Sequence, residues 1–128
     1  MGRHYDWKVR SSVSLIIPIF NACATIEQTL ASIEQEIQEN PNIDWQIIAV
    51  DDGSTDGSIN ILRAWKTKLP LSIVELAHGG SPAAPRNHGI EIATSEYVFF
   101  LDADDVLLEG GLSAAVAYAI KNNSELSW

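Results

Sequence analysis

Four short apolar runs, each closing on turn-forming or acidic residues, constrain this chain more than any other feature: Val13 to Ile19, Trp45 to Val50, Leu71 to Leu76 and Tyr97 to Leu101. They are brief and rich in β-branched or aromatic side chains, which is the signature of strands. Tyr97 to Leu101 is apolar without interruption, as expected of a strand buried on both faces of a parallel sheet. Between the runs, apolar residues fall at helical spacing: Ile26, Leu30, Ile33 and Ile37, then Ile59, Leu62 and Trp65. Asn21 stands where the first helix needs its N-cap, and Asn40-Pro41-Asn42 stops that helix. A third helix is expected to start near Pro82 and to carry Ala84, His88 and Ile92 along one face. Gly110 to Asn122 closes as a helix, with Leu112, Val116, Ala119 and Ile120 inward. Strict β-α alternation of this kind predicts an α/β fold with a mainly parallel four-stranded sheet, right-handed crossovers and flanking helices. Residues 1–12 read as a loose lead-in and 13–128 as one domain.

Composition narrows the class of ligand. With 46% hydrophobic and 20% charged residues, the chain can bury a core and is not disordered. Its formal net charge of -9, without a basic patch, argues against nucleic acid as a partner. An anionic ligand would need a metal or an arginine to offset that charge. Cys23 is the single cysteine, so an intrachain disulfide is excluded and a reducing, cytoplasmic setting is expected; Cys23 itself reads as a small buried apolar residue. No stretch approaches the length of a membrane span, so any place at the inner face of a membrane would have to come from other regions.

In parallel sheets of this kind ligands sit beyond the carboxyl ends of the strands, where strand order reverses. Three informative junctions leave strand ends: Pro18 to Asn21, Asp51 to Asp56, and Asp102 to Asp105. All three are therefore expected to face one crevice. Two carboxylates about 4 Å apart repel by roughly 4 kcal/mol at an effective dielectric near 20, so a site gathering several acids favours a proton or a cation. Oxygen-only ligands favour a hard ion such as Mg2+ or Mn2+ over zinc. Gly79 and Gly80 are expected to give their loop freedom at positive φ; neither G-x-G-x-x-G nor Walker A spacing surrounds them. His78 reads as a solvent-exposed loop histidine and His88 as a structural helix residue.

Taken together, Val13-Ser14-Leu15-Ile16-Ile17-Pro18-Ile19-Phe20-Asn21, Val50-Asp51-Asp52-Gly53-Ser54-Thr55-Asp56, Pro85-Arg86-Asn87-His88-Gly89-Ile90 and Phe100-Leu101-Asp102-Ala103-Asp104-Asp105 resemble the family 2 glycosyltransferases of GT-A fold. The resemblance implies the Rossmann-like, nucleotide-sugar-binding half of such an enzyme. Its ligand would be a nucleotide-diphosphate sugar, commonly a UDP-sugar, with Mn2+ or Mg2+ bridging the diphosphate and inverting transfer to a glycan or lipid-carrier acceptor. By the same resemblance Phe20 lies against the base, Pro18 shapes that turn, and Asn21 is counted with them among the substrate-binding residues. Asp52 accepts from the base's ring N–H, Asp51 anchors the loop, and Arg86 sits near base and phosphates. Asp102 faces ribose or metal, and Asp104 is the direct metal ligand. Asp105 is a third acid or the cap of the next helix.

In relatives the general base lies far downstream of D-x-D, whereas 23 residues follow Asp105. The chain is therefore expected to be truncated before the catalytic base, to bind nucleotide and metal weakly, and to transfer sugar poorly. Glu109 stands where relatives often carry proline. Strand four is expected to be an edge that pairs with a second copy of the chain or is covered by the last helix. Two rival readings are a non-catalytic binding or structural fragment and a haloacid-dehalogenase-like phosphohydrolase. The latter's D-x-D-x-[TV] motif is met by Asp102, Asp104 and Val106. That motif normally opens its domain, however, and its downstream partners do not fit here.

Overall fold

The computed structural model describes residues 11–79, 81, 83–104, 115 and 118. Residues 1–10 of the expected lead-in, Gly80, Pro82, Asp105, Glu109 and most of the last expected helix lie outside the described residues, whereas Ser12, the last residue of that lead-in, already belongs to the first strand. Strands β1 (Ser12–Ile19), β2 (Asp44–Asp52), β3 (Leu71–Leu76) and β4 (Tyr97–Phe100) alternate with helices α1 (Ile26–Glu39), α2 (Ser58–Trp65) and α3 (Ala83–Ile92). The four strands form one sheet in the order β3-β2-β1-β4, and every pairing is parallel.

That order follows from burial. Val13 to Ile17 and Ile47 to Asp52 are buried residue after residue, so β1 and β2 take the interior of the sheet, with α1 and α2 over one face and α3 over the other. Val13, Leu15, Ile17, Ile19, Ile47 and Ala49 form one core with Ile26, Leu30 and Ile33 of α1 and Leu62 and Trp65 of α2. Ile16, Ile48 and Val50 form the second, against Ile92, Ala93, Val98 and Phe100. The chain runs outward from β1 through β2 to β3 and then returns to the far side of β1. A crossover of constant hand that reverses direction must pass over the opposite face, which is where α3 lies. The reversal between β1 and β4 opens a crevice beyond their carboxyl ends.

β4 is half-buried rather than buried on both faces. Only Phe99 of its residues is fully covered, because among the described residues β4 has a strand neighbour on one side only. On α3 the row Ala84, His88 and Ile92 is not the one most covered, although Ile92 packs on the sheet. Pro85 and Gly89 are buried, while Ala84 is exposed and His88 is half-buried. The cause is close approach: a Cβ at Gly89 would lie 2.5 Å from Cγ2 of Ile16, so the residue without a side chain must face the sheet. No helix among the described residues is long and apolar enough to cross a membrane.

Candidate functional site

Side chains alternate between the two faces of a strand, and this separates the neighbouring acids at the end of β2. Asp51 continues the row of Ile47 and Ala49, under α1 and α2; Asp52 continues the row of Ile48 and Val50, toward α3. Asp51 is buried, and its Oδ2 accepts the N–H of Ser54 at 2.8 Å. That bond ties the start of the loop back to the strand end. Asp52 is also buried, and its Oδ1 accepts the N–H of Gly79 at 3.2 Å. Nδ1 of His78 lies 3.0 Å from the carbonyl oxygen of Asp52 and 3.1 Å from its Oδ2. Both neighbours are acceptors, so Nδ1 carries a proton and donates.

Gly53 makes this approach possible. Its φ is +77°, and a Cβ there would sit 2.8 Å from the backbone nitrogen of His78 and 2.9 Å from its Cβ. Among the described residues the left-handed glycines near the site are thus Gly53 and Gly57. Gly79, expected to have positive φ, does not.

The loop after β1 crosses directly to the loop after β2. Asn21 adopts φ +49°, its N–H donates to Oγ of Ser54 at 2.8 Å, and its Oδ1 accepts the N–H of Thr55 at 2.9 Å. It is therefore a bridge between loops and not the N-cap expected from local sequence; Thr25 occupies that position, without a side-chain cap bond. The N–H of Ala22 donates to Ser58 Oγ at 2.9 Å and that of Cys23 to Asp56 Oδ2 at 3.0 Å. Cys23 is exposed, contrary to expectation, since this loop lies over the strand ends and outside the core. Hydrogen bonds from the Ser58 hydroxyl and the Cys23 N–H hold the Asp56 carboxyl down at about 2, and its proximity pushes the Cys23 thiol up.

The third junction is tied to the same loop. Leu101 N–H still donates to Ile16 O at 3.0 Å, one residue beyond β4. The carbonyl of Ala103 then accepts from Thr29 Oγ1 at 2.9 Å and from Thr25 Oγ1 at 3.1 Å. Ala103 is buried, while Asp102 and Asp104 on either side of it are exposed. Arg86 of α3 lies 3.8 Å from Oδ1 of Asp102, with its guanidinium carbon 5.9 Å from the centre of the Phe100 ring.

Two clefts result. One, of about 250 Å3, is lined by Pro18, Ile19, Phe20, Asp52, His78, Ser81 and Pro85. The other, of about 410 Å3, is lined by Pro18, Phe20, Asn21, Ala22, Ala24, Thr25, Asp102, Ala103 and Asp104. Pro18 and Phe20 belong to both, so the three junctions do meet, with Asp52 at one end and the Asp102/Asp104 pair at the other. Phe20 is 48% exposed, and its ring stacks on that of His78 with centroids 4.3 Å apart and an interplanar angle of 18°. His78 is an exposed loop histidine, as expected, and its ring also lines the cleft against Phe20. Thr25 and Thr29 were missed, although a buried threonine in the apolar stripe Ile26, Leu30, Ile33 is a legible signal. Among the described residues no group of three His, Cys, Asp or Glu side chains could hold a metal alone.

Comparison with known proteins agrees with this architecture. Over 117 residues the chain is 36% identical to the poly(ribitol-phosphate) beta-glucosyltransferase of Bacillus spizizenii, covering 90% of this chain and 18% of that protein. The crystal structure of S. aureus TarS in complex with UDP-GlcNAc superposes with a TM-score of 0.77 at 30% identity, covering 88% of this chain and 32% of that one. The mannosyltransferase PcManGT from Pyrobaculum calidifontis, in complex with GDP-Man and Mn2+, gives the same TM-score of 0.77 at 29% identity, covering 89% of this chain and 34% of that one. The chain thus spans well under half the length of these proteins. The family described as Glycosyl transferase family 2 matches residues 14–128, and the chain belongs to that family.

Proposed function

We propose that this domain binds a nucleoside diphosphate sugar, a UDP-sugar foremost, as the donor for inverting sugar transfer. The observation that carries this reading is that Pro18 and Phe20 line both clefts, joining Asp52 in one to Asp102 and Asp104 in the other. The smaller cleft suits a planar base. Phe20 offers a ring face for stacking, worth roughly 0.5 to 1.5 kcal/mol beyond burial, and the Asp52 carboxylate offers an acceptor for a ring N–H. The larger cleft suits ribose and diphosphate. Arg86 stands at its rim beside Asp102, and its planar donor fork matches a phosphate oxygen pair.

The donor set fits a hard divalent cation. Asp102 and Asp104 are oxygen ligands, both exposed on one cleft, and an ion such as Mn2+ or Mg2+ is commonly held by one or two carboxylates with phosphate oxygens and water completing its shell. Such an ion, when bound, neutralises charge developing on the diphosphate leaving group. The chain's own contribution is to fix the two carboxylates through the Ala103 carbonyl, to seat the base, and to hold Arg86 against the anion. Transfer also requires a general base for the acceptor hydroxyl, and none of the residues assigned to the donor is given that role. The poly(ribitol-phosphate) glucosyltransferase and the UDP-GlcNAc complex of TarS make UDP-glucose and UDP-GlcNAc the first donors to test.

Calorimetric titration with UDP, GDP and CDP, each with and without Mn2+, tests this reading. UDP is expected to bind with Mn2+ dependence that Asp104→Asn abolishes, and Asp52→Asn is expected to weaken UDP by about tenfold or more, as for loss of a charge-assisted hydrogen bond. UDP affinity indifferent to Mn2+ and to both substitutions would overturn it.

A further inference from the structure

In the structure, the surfaces proposed for the base already hold a ring. His78 is planar, aromatic, and stacked on Phe20 at 4.3 Å. It donates a ring N–H to Asp52, Nδ1 lying 3.1 Å from Oδ2 and 3.0 Å from the carbonyl oxygen. Those are the two contacts that the proposed reading gives to a nucleobase: a face on Phe20 and a ring N–H on Asp52. The spacing leaves no room for both on this face of Phe20. A base inserted between two rings needs them roughly 7 Å apart, since each stacked pair needs about 3.5 Å between planes.

We propose that His78 is an internal stand-in for the nucleobase, occupying the base position of the free protein and leaving it when nucleotide binds. The inference rests on the donor-site reading above. His78 is placed to do this because the turn at Gly53 lets its backbone approach to where even a Cβ would collide. The side chain remains 49% exposed, so its outer face is open and its way out is toward solvent. Its partners on the site side are Asp52 and Phe20, and the N–H of neighbouring Gly79 holds the other oxygen of Asp52 at 3.2 Å. Displacement of His78 therefore exchanges one ring for another on Phe20 and one N–H for another at Asp52. The exchange sets a chemical condition on the incoming base. A base with a ring N–H donor, such as uracil or guanine, replaces both contacts. Cytosine, with an acceptor at the corresponding ring nitrogen, replaces the stack and leaves the carboxylate facing a lone pair.

The consequence is that His78 lowers nucleotide affinity. Truncation to His78→Ala removes the competitor and is expected to tighten UDP by about threefold to tenfold, the equivalent of one stacked ring. A misfolded variant would lose affinity, so a gain is diagnostic. Proton NMR of the His78 ring supplies a second reading. In the free chain its ring signals are expected upfield, shifted by the Phe20 ring current, and they are expected to return toward ordinary positions both on saturation with UDP and Mn2+ and in ligand-free Phe20→Ala. Weaker UDP binding by His78→Ala, or signals that stay upfield in the UDP complex, would overturn the inference. If Phe20→Ala and Asp52→Asn still lose UDP in that case, the donor-site reading survives it. If UDP binds equally well to both variants, or to no form of the chain, the donor-site reading falls and takes the inference with it.

Discussion

The D-x-D segment is held in place by its middle residue, and this can be tested without touching either acid. Thr29 Oγ1 and Thr25 Oγ1 both donate to the carbonyl of Ala103, at 2.9 and 3.1 Å. Valine at either position keeps the β-branched shape and nearly the same helix propensity while removing the hydroxyl. Thr25 makes no side-chain cap bond, so no cap is lost with it. Removing one donor leaves the carbonyl served by the other, and each single substitution is expected to cost about 1 kcal/mol or less. Removing both leaves a buried acceptor without either donor, which adds about 1 to 3 kcal/mol. The double variant should therefore be less stable than the sum of the singles, with a coupling of roughly 1 kcal/mol. In urea unfolding this extra loss corresponds to a midpoint about 0.5 M lower than additivity gives, for a slope near 2 kcal/mol per molar. The same double variant should weaken Mn2+-dependent UDP binding by about tenfold, the usual scale for loss of groups that orient metal ligands. Strict additivity of the two stability costs, or UDP and Mn2+ affinities equal in all four proteins, would refute the reasoning.

Gly53→Ala combines a left-handed φ of +77° with a Cβ placed 2.8 Å from the backbone of His78; conformational and packing costs together give a loss of about 2 to 4 kcal/mol in chemical denaturation, and unchanged stability would contradict the close approach. Asp56 titrates in the folded chain at about 2 against an ordinary 3.8, so its contribution is complete above pH 3.8 and is lost as pH falls through about 2. Thermal melts between pH 5 and 2 should fall more steeply for the native chain than for Asp56→Asn, and parallel curves would remove Asp56 from the account. The outer edge of β4 is expected either to pair with a second copy or to be covered by the last helix; concentration-dependent association in sedimentation velocity would favour pairing, and a monomer at every concentration would exclude it.

The two inner strands were legible because burial on both faces writes itself into sequence as apolar runs, and Val13 to Ile17, with Ser14 among them, and Ile47 to Val50 are buried throughout; the uninterrupted run Tyr97 to Leu101 was the misleading one, since β4 is half-buried. The other misreadings share one cause: the deciding partner is distant in sequence. Asn21 has the composition of an N-cap, yet its side chain answers to Thr55 on the next loop, and α1 starts later. On α3 the residue that faces the sheet most closely is Gly89, and that follows from contact with Ile16, again remote in sequence. His78 is the exposed loop histidine expected, but its stacking on Phe20 depends on a turn at Gly53 that local composition does not place beside it.

The motifs themselves carry more structural information than their acids suggest, because each is a strand end whose alternation outlasts the strand. Of the pair Asp51-Asp52, one carboxylate must turn toward α1 and α2 and the other toward α3. The first closes its own loop through Ser54, and the second is the one available to a ligand cleft. In Asp102-Ala103-Asp104 the same period turns Ala103 inward, where it is 8% exposed, and both acids outward to one cleft. A small residue between the acids lets the chain press against α1 closely enough for Thr25 and Thr29 to reach its carbonyl. The position between the two acids therefore anchors the pair to the core, and the spacing of two leaves both carboxylates on one cleft.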